Sequence, residues 1–379
     1  MNKALIFILA FLLVYSACTE KIEETVEKQP EYPVFTETVD GIKTIKNPDF
    51  PRDGQIKYKF AEELSIGGEG ESGESVLNRP FDIRVDSEGR IYVLDLGDIN
   101  IKVFEADGNF IHTIGRKGQG PGEFSIPVVF DITKDNKILL FDMRSRRIMV
   151  VDLYGTQIFG FKAEGLGMEI WSDDVGNIYY STSSLPEITV IGTEKILERK
   201  KSIYRCNQEG KNIFHFGEFR DVKLVRKMTS ARSSVSSLPR HAYTTAWTVN
   251  KGGKLYLGYN KDYLINVLDF EGNPLFRFKR EYIPEKYEAW KPGSILPKFN
   301  PAFYRYIILD DNKNLWFRQY TKSTVTDSIY DIFSPDGIYI QQAVVPHRIY
   351  QIKNGKAYCI IRTEEDYRIV KRFKMKELE

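Results

Sequence analysis

Short runs of alternating apolar and polar residues, separated by Asp-Gly or similar turns, recur along the chain from Pro80 to the C-terminus. The clearest unit is Pro80–Phe124. Phe81–Val85 alternates as a half-buried strand does, and Asp86–Gly89 is a tight turn in which Gly supplies the positive φ. Three more strand-like runs complete this unit: Arg90–Asp95, Asn100–Phe104 and Phe110–Gly115. Four short antiparallel strands joined by tight turns are typical of one β-propeller blade.

The same order of strands and turns repeats along the rest of the chain. Asp95 and Asp142 end equivalent strands about 47 residues apart, which is a spacing found between propeller blades. The later copies are Phe130–Phe161, Ile170–Gly217, Ala246–Phe278, Tyr306–Ile340 and Arg348–Val370. The repeat therefore predicts an all-β, six-bladed β-propeller with four antiparallel strands per blade. Five or seven blades are the alternatives, because the third copy carries an insertion.

The last copy is one strand short at the C-terminus, and the N-terminal region contains a candidate for the missing strand. Ile56–Gly67 resembles the fourth strand of the first blade, with Leu64–Gly67 matching Thr113–Gly115. We expect this segment to complete the sixth blade and close the ring, because closure removes open sheet edges. The predicted propeller domain is residues 55–379.

The N-terminus has the pattern of an export signal. Lys3 precedes the apolar run Ala4–Val14, which is shorter than the roughly 20 residues that span a bilayer. Cys18 follows two small residues and resembles a lipoprotein lipobox, so we expect lipidation at Cys18 and a signal peptide over residues 1–17. An ordinary signal peptide on a soluble secreted protein is the alternative. Residues 18–54 are predicted to be a tether and leader segment, and the charged run Thr19–Glu24 is either a surface-export signal or a plain spacer.

Composition narrows the function classes. Of the 379 residues, 42% are hydrophobic, enough for a sizeable core, and the formal net charge is only +2. This near-neutral charge and the export signal disfavour nucleic acid as a partner. Cys206 and Cys359 are predicted to be buried small hydrophobes, and no metal-ligand spacing is present. The sequence predicts no cofactor and a monomer.

The glycine-rich exit of the first blade carries a family resemblance. Gly115–Phe124, followed by Pro127, is similar to an NHL repeat. Together with the lipobox, the six blades and the leader Val39–Pro48, it makes the chain resemble the 6-bladed β-propeller lipoproteins of Bacteroidota. The resemblance implies an outer-membrane lipoprotein of the cell envelope, facing the periplasm or the surface. It implies a fold and no particular activity.

Loop lengths predict where a ligand would bind. The turns between first and second strands, and between third and fourth, are short, whereas the other connections vary, and these open on one face, the variable face. Basic and aromatic residues fall on its loops, and the candidate binding residues are Arg116, Lys117, Arg144, Arg146, Arg147, Arg240, His241, Tyr282 and Trp290. We expect a glycan, a peptide or an envelope protein to bind there. A solvated rim whose aromatic rings cover the blade tops is the alternative for any single residue.

Catalysis has little support in the sequence. None of the four histidines pairs with a nucleophile or metal motif. The repeated Asp95 and Asp142 favour loop-capping hydrogen bonds over an acid and base pair, which needs unequal environments. The chain is therefore expected to be a non-enzymatic binding or scaffold module. The alternative is a metal-dependent hydrolase or lyase, with calcium held at the central channel.

Overall fold

A computed structural model describes residues 32–68, 73–191, 194–228, 234–237, 242–288, 290, 297–320 and 327–378. Within these residues the secondary structure is β-strand, apart from a short 3-10 helix at Gly73–Ser75. The N-terminal strands are β1 (Phe35–Val39), β2 (Ile42–Asn47) and β3 (Gln55–Ile66). No helix among the described residues is both long and apolar enough to cross a membrane.

The first three blades are antiparallel sheets in chain order. Blade one contains β4 (Pro80–Val85), β5 (Ile91–Asp95), β6 (Asn100–Phe104) and β7 (Phe110–Ile114). Blade two contains β8 (Pro127–Ile132), β9 (Ile138–Asp142), β10 (Arg147–Val151) and β11 (Gln157–Lys162). Blade three contains β12 (Leu166–Ser172), β13 (Ile178–Ser183), β14 (Glu187–Ile191), β15 (Glu194–Cys206), β16 (Phe214–Met228) and β17 (Ser234–Ser237). The predicted insertion in the third copy is thus an extension of its sheet.

The remaining blades use strands from both ends of the chain. Blade four contains β18 (Thr245–Val249), β19 (Leu255–Tyr259), β20 (Leu264–Leu268) and β21 (Pro274–Arg280). Blade five contains β22 (Phe303–Leu309), β23 (Leu315–Gln319), β24 (Ser328–Phe333) and β25 (Tyr339–Val345). Blade six contains β26 (Gln351–Lys353), β27 (Lys356–Arg362) and β28 (Arg368–Glu377), with β3 as its fourth strand.

The ring closes as the sequence predicts. Strand β3 pairs antiparallel with β28, from Ile66 opposite Val370 to Tyr58 opposite Glu377. The innermost strands contact one another in the order β4, β8, β12, β18, β22, β26 and back to β4. The prediction of an all-β propeller is confirmed, and the apolar core lies between neighbouring blades, as where Leu94 and Ile101 of blade one pack with Phe130 of blade two.

The leader forms strands on the outer edges of blades four and five. Strand β2 pairs in parallel with β21, and β1 pairs with β2. Asn47, at the end of β2, donates from Nδ2 to the carbonyls of Lys279 and Gly337, and its Oδ1 accepts from the Tyr339 amide. The first residues of β3 then pair in parallel with β25. The segment 35–57, inside the predicted leader for most of its length, therefore bridges blades four, five and six.

Side chains cap the repeated turns. Asp86 Oδ1 accepts from the amides of Glu88 and Arg90 at 2.9 Å each, and Asp173 and Asp269 repeat this contact in other blades. The glycine that follows has positive φ, for example 88° at Gly89 and 82° at Gly272. Local hydrogen bonds and glycine conformation thus explain why the Asp-Gly pattern marks the blades.

Candidate functional site

A cavity with a volume of about 1170 Å³ occupies the centre of the ring. Its walls are the innermost strands, and it reaches the turns that join first and second strands, such as those containing Ser87, Lys134 and Lys313. The cavity therefore extends to the face of short turns. This volume exceeds that of most small-molecule pockets and can hold a ligand of several units.

An irregularity in blade five turns two side chains into this cavity. In β22, Phe303 lies opposite Gln319 of β23, and Ile307 lies opposite Phe317. Between these two pairs, β22 therefore has three residues, whereas β23 has only one. Blades one and two carry smaller bulges, at Phe81 and Val128. The larger bulge contains Arg305 and Tyr306, and both line the cavity. Bulges commonly redirect side chains beside functional sites.

Blades five and six present what we call the cationic wall, formed by Arg305, Tyr306, Arg348 and Tyr350. The guanidinium Cζ atoms of Arg305 and Arg348 lie 4.7 and 5.3 Å from the Tyr306 ring centroid, and Arg348 also lies 4.5 Å from the Tyr350 centroid. Arg348 and Tyr306 are exposed to the cavity. Among the described residues, neither arginine has a carboxylate within ion-pair distance. Aromatic contact positions the two guanidinium groups without neutralising them.

Blades one to four present a different surface, the paired wall, formed by Asp82, Arg84, Asp131, Ser172 and Lys251. Arg84 Nη1 donates to Asp82 at 2.8 Å, and its Nε lies 3.8 Å from Asp131. Asp131 Oδ2 accepts from the amide and hydroxyl of Ser172, at 2.9 and 2.8 Å, and lies 3.9 Å from Lys251 Nζ. Acid and base therefore alternate around this wall, and each side chain has a partner.

Burial and the charges of the opposite wall shift the pKa values of two side chains in the channel, Asp82 and Arg305. Burial raises the pKa of Asp82, and the positive charges of Arg84 and Arg348 oppose that rise only in part. Burial also opposes the charged form of Arg305, but Tyr306 and the Glu169 carboxylate outweigh it, and the pKa of Arg305 is raised. The arginines of the cationic wall therefore act electrostatically on carboxylates of the other blades, Arg348 on Asp82 and Arg305 on Glu169.

The sequence-predicted basic residues lie on blades one and two. Arg116 and Lys117 are exposed in the exit loop of blade one. Arg144 and Arg146 lie on the turn between β9 and β10, and Arg147 is the first residue of β10. Arg144 and Arg147 line a second cavity, of about 340 Å³, together with part of that exit loop. The structure thus brings two of the predicted loops together, and this cavity is separate from the central one.

The predicted aromatic residues lie on blade four's exit, across the ring from blade one. Tyr282 is half-buried against the core of blades four and five, its hydroxyl donates to the Lys261 carbonyl, and burial raises its pKa to about 12. Trp290 has the ammonium groups of Lys286 and Lys298 at 5.4 and 5.7 Å from its ring. Cys18, Arg240 and His241 lie outside the described residues.

The repeated aspartates cap loops, as the sequence predicts. Asp95 accepts from the amides of Asn78, Arg79 and Gly97, and Asp142 accepts from those of Ser125 and Ile126, among others. In the described part of the chain, no group of three or more His, Cys, Asp or Glu side chains is arranged to hold a metal ion. Cys206 and Cys359 are buried and unpaired.

The cationic wall is not predicted by the sequence analysis. Tyr306–Leu309 and Arg348–Ile352 both have the pattern of an innermost strand, but β26 begins only at Gln351. A run of residues does not show the register of its partner strand, so the bulge around Arg305 is hidden in the sequence. The extra Tyr304 and Arg305 ahead of the predicted strand are the one available signal.

Comparisons with known proteins agree with this architecture. Residues 74–218 match a family model described as "6-bladed beta-propeller". This match covers less than half of the chain and supports the six-bladed propeller fold that the structure shows. The predicted resemblance to the 6-bladed propellers of Bacteroidota is confirmed for the propeller itself, and the matched region covers blades one and two and much of blade three.

Individual relatives are distant. A protein described as exported, from Bacteroides fragilis, has a TM-score of 0.50 and 13% identity over 89% of this chain and 100% of its own. A DUF4221 family member from Bacteroides vulgatus has a TM-score of 0.52 and 9% identity, over 86% and 100%. The human E3 ubiquitin-protein ligase NHLRC1 is 33% identical over 67 residues, or 18% of this chain, which spans only 17% of that ligase. The two structures support the propeller fold.

Proposed function

We propose that this propeller is an exported, lipid-anchored binding protein whose central channel receives an anionic glycan. The observation that carries the proposal is the cationic wall, where Arg305 and Arg348 share the ring of Tyr306 and have no carboxylate partner among the described residues. A guanidinium held in this way is suited to bind carboxylate or phosphate.

Groups near the two arginines favour a sugar as the ligand that carries the carboxylate or phosphate. Trp171 lines the cavity and adds an aromatic ring to its surface, while its indole N–H is buried. Tyr306 and Tyr350 offer ring edges and hydroxyl groups beside the arginines. Amphipathic aromatic side chains suit ligands that carry both apolar faces and hydroxyl groups.

Export and anchoring are part of the same proposal. The apolar run Ala4–Val14 and the lipobox-like Cys18 support them, as does the description of the Bacteroides fragilis relative as exported. The variable face, with Arg144 and Tyr282 on its loops, stays a predicted contact surface for a peptide or an envelope protein. Cys18→Ser should abolish acylation and release the protein from the membrane fraction, and an unchanged membrane fraction would refute the anchor.

The channel proposal is tested with a uronic-acid oligosaccharide, tetragalacturonate, and its neutral galactose counterpart. The protein should bind the acidic oligosaccharide and not the neutral one in calorimetry. Replacing both arginines, by Arg305→Ala with Arg348→Ala, should weaken binding about 100-fold or more, since each charge-assisted hydrogen bond contributes about 1.5–3 kcal/mol.

Two results would count against the proposal. Equal binding of the neutral sugar would remove the role of charge, and unchanged affinity in the double variant would remove the role of the cationic wall. A tetraglutamate peptide that binds more tightly than tetragalacturonate would replace the glycan by an acidic peptide. Thermal unfolding of the double variant provides the control for folding.

A further inference from the structure

Three arginines lie where β9 connects to β10: Arg144 and Arg146 in the turn, and Arg147 as the first residue of β10. Arg144 and Arg147 line the cavity of about 340 Å³ between blades one and two, whereas Arg146 is not among its lining residues. In the part of the chain that the structure describes, the guanidinium groups of all three have neither a hydrogen bond nor an ion pair. Two arginine side chains without an ion pair among the described residues therefore line this cavity.

The carboxylates that line the same cavity are already bound elsewhere. Glu123 accepts from the amides of Gln119 and Gly120, at 3.1 and 2.9 Å, and from Arg116 Nε at 2.9 Å. These hydrogen bonds lower the pKa of Glu123, and the bond from the Gly120 amide has the largest effect. The glycines make this arrangement possible, since a Cβ on Gly118 would collide with the Glu123 carboxylate. Glu123 is therefore held by its own loop.

Asp142 is engaged in the same way. Its carboxylate accepts from the amides of Ser125, Ile126 and Ser145, at 2.6, 2.9 and 2.9 Å. Neither acid is oriented to pair with Arg144 or Arg147. Backbone amides donate to both carboxylates and so fix the two loops. The guanidinium N–H groups of Arg144 and Arg147 are therefore available to a ligand.

We propose that this cavity is a second binding site, which takes a small oxyanion group, carboxylate or phosphate, through Arg144 and Arg147. The planar guanidinium groups can each form two parallel hydrogen bonds to such a group. The cavity volume suits a single anionic group and its immediate neighbours, unlike the larger central channel. The site lies on blades one and two and does not depend on the channel site of blades five and six.

The experiment compares three single substitutions that each remove one positive charge from the β9–β10 connection. Arg144→Ala and Arg147→Ala remove cavity donors, and Arg146→Asn is the matched control. Arg146 has a φ of 54°, which Asn tolerates, so this control does not strain the turn. Binding of inorganic phosphate and of acetate is measured by calorimetry in the background of Arg305→Ala with Arg348→Ala, so that the channel does not contribute.

The expected result is a loss of about tenfold in affinity for Arg144→Ala and for Arg147→Ala, the effect of one charge-assisted bond, with less than about threefold for Arg146→Asn. The anion that binds more tightly, phosphate or acetate, identifies the class of ligand group. Equal losses in all three variants would show a diffuse basic surface and overturn the proposal. Absence of binding by both anions at millimolar concentration in the unsubstituted turn would also overturn it. Neither result would bear on the channel.

Discussion

The two walls of the central channel contain similar residue types in different arrangements. On the paired wall, Arg84 and Lys251 lie beside Asp131, and the Ser172 amide and hydroxyl donate to the same carboxylate. On the cationic wall, Arg305 and Arg348 contact tyrosine rings instead. Arginines alone therefore do not identify a binding site. What distinguishes the second wall is that its charges are held in position without being neutralised.

This difference separates stability from binding. In a buried network of paired charges, removing one member leaves the others unpaired at high cost. A charge that has no protein partner adds little to stability, so its substitution should affect the ligand and not the fold. Substitutions on the two walls should therefore give opposite results in unfolding and binding measurements.

The largest effect on stability is expected for Asp131→Ala. Loss of this buried carboxylate leaves the Ser172 amide without its acceptor, removes the shorter of two bonds from the Ser172 hydroxyl, and removes the charge between Arg84 and Lys251. The free energy of unfolding should fall by about 3 kcal/mol in urea denaturation. The control is Asp311→Ala, at a half-exposed ion pair with Lys353, which should cost less than about 1 kcal/mol. Similar costs at both positions would contradict the distinction between the walls.

A smaller difference is expected between two arginine substitutions. Arg84 is buried, lies over the rings of Phe130 and Trp171, and pairs with Asp82, so Arg84→Ala should lower the free energy of unfolding by about 2 kcal/mol. Arg348→Ala should change it by less than about 1 kcal/mol, because only exposed cation–π contacts are lost. Denaturation midpoints at equal slopes measure both. If Arg348→Ala proved the more destabilising, the cationic wall would be structural.

The smallest effect concerns pH. Because burial raises the pKa of Asp82 above its ordinary 3.8, the stability linked to this group is present below that value and is lost as pH rises through the folded-state pKa. Asp82→Asn should therefore reduce the decline in stability between pH 3 and pH 7.

Asp98→Asn is a control of opposite sign. Burial opposes ionisation of Asp98, but bonds from Lys102 and Asn78 outweigh it and lower the pKa, so this group contributes stability that is lost as pH falls. Unfolding curves across acidic pH should show the two substitutions changing the pH dependence in opposite directions. Changes of the same sign would mean that the Asp82 carboxylate is stabilised by Arg84 more than it is destabilised by burial.

The sequence predicts the propeller because its signals are local. Asp86 with Gly89, and Asp269 with Gly272, specify turns through bonds within a few residues. Asp95 and Asp142 could be assigned as caps because they repeat at equivalent positions. The ring closure was visible because Leu64–Gly67 resembles a strand of blade one.

Other features depend on partners far away in the chain. The sequence of β2 does not show that it pairs with β21, since the two strands are more than 200 residues apart. The bulge at Arg305 depends on the register between β22 and β23, which a single strand does not encode. By contrast, the positions of Arg144 and Arg147 near a loop are visible in the sequence, and the structure adds that these two, and not Arg146, line the cavity of about 340 Å³.

The most direct test of the central claim removes one positive charge from each wall of the same channel. Affinity for tetragalacturonate is measured by calorimetry for the unsubstituted protein, Arg348→Ala and Lys251→Ala. We expect Arg348→Ala to lose about tenfold or more and Lys251→Ala, whose ammonium lies beside Asp131, to lose less than about threefold. Equal losses, or a greater loss for Lys251→Ala, would contradict the assignment of the cationic wall as the ligand-binding surface.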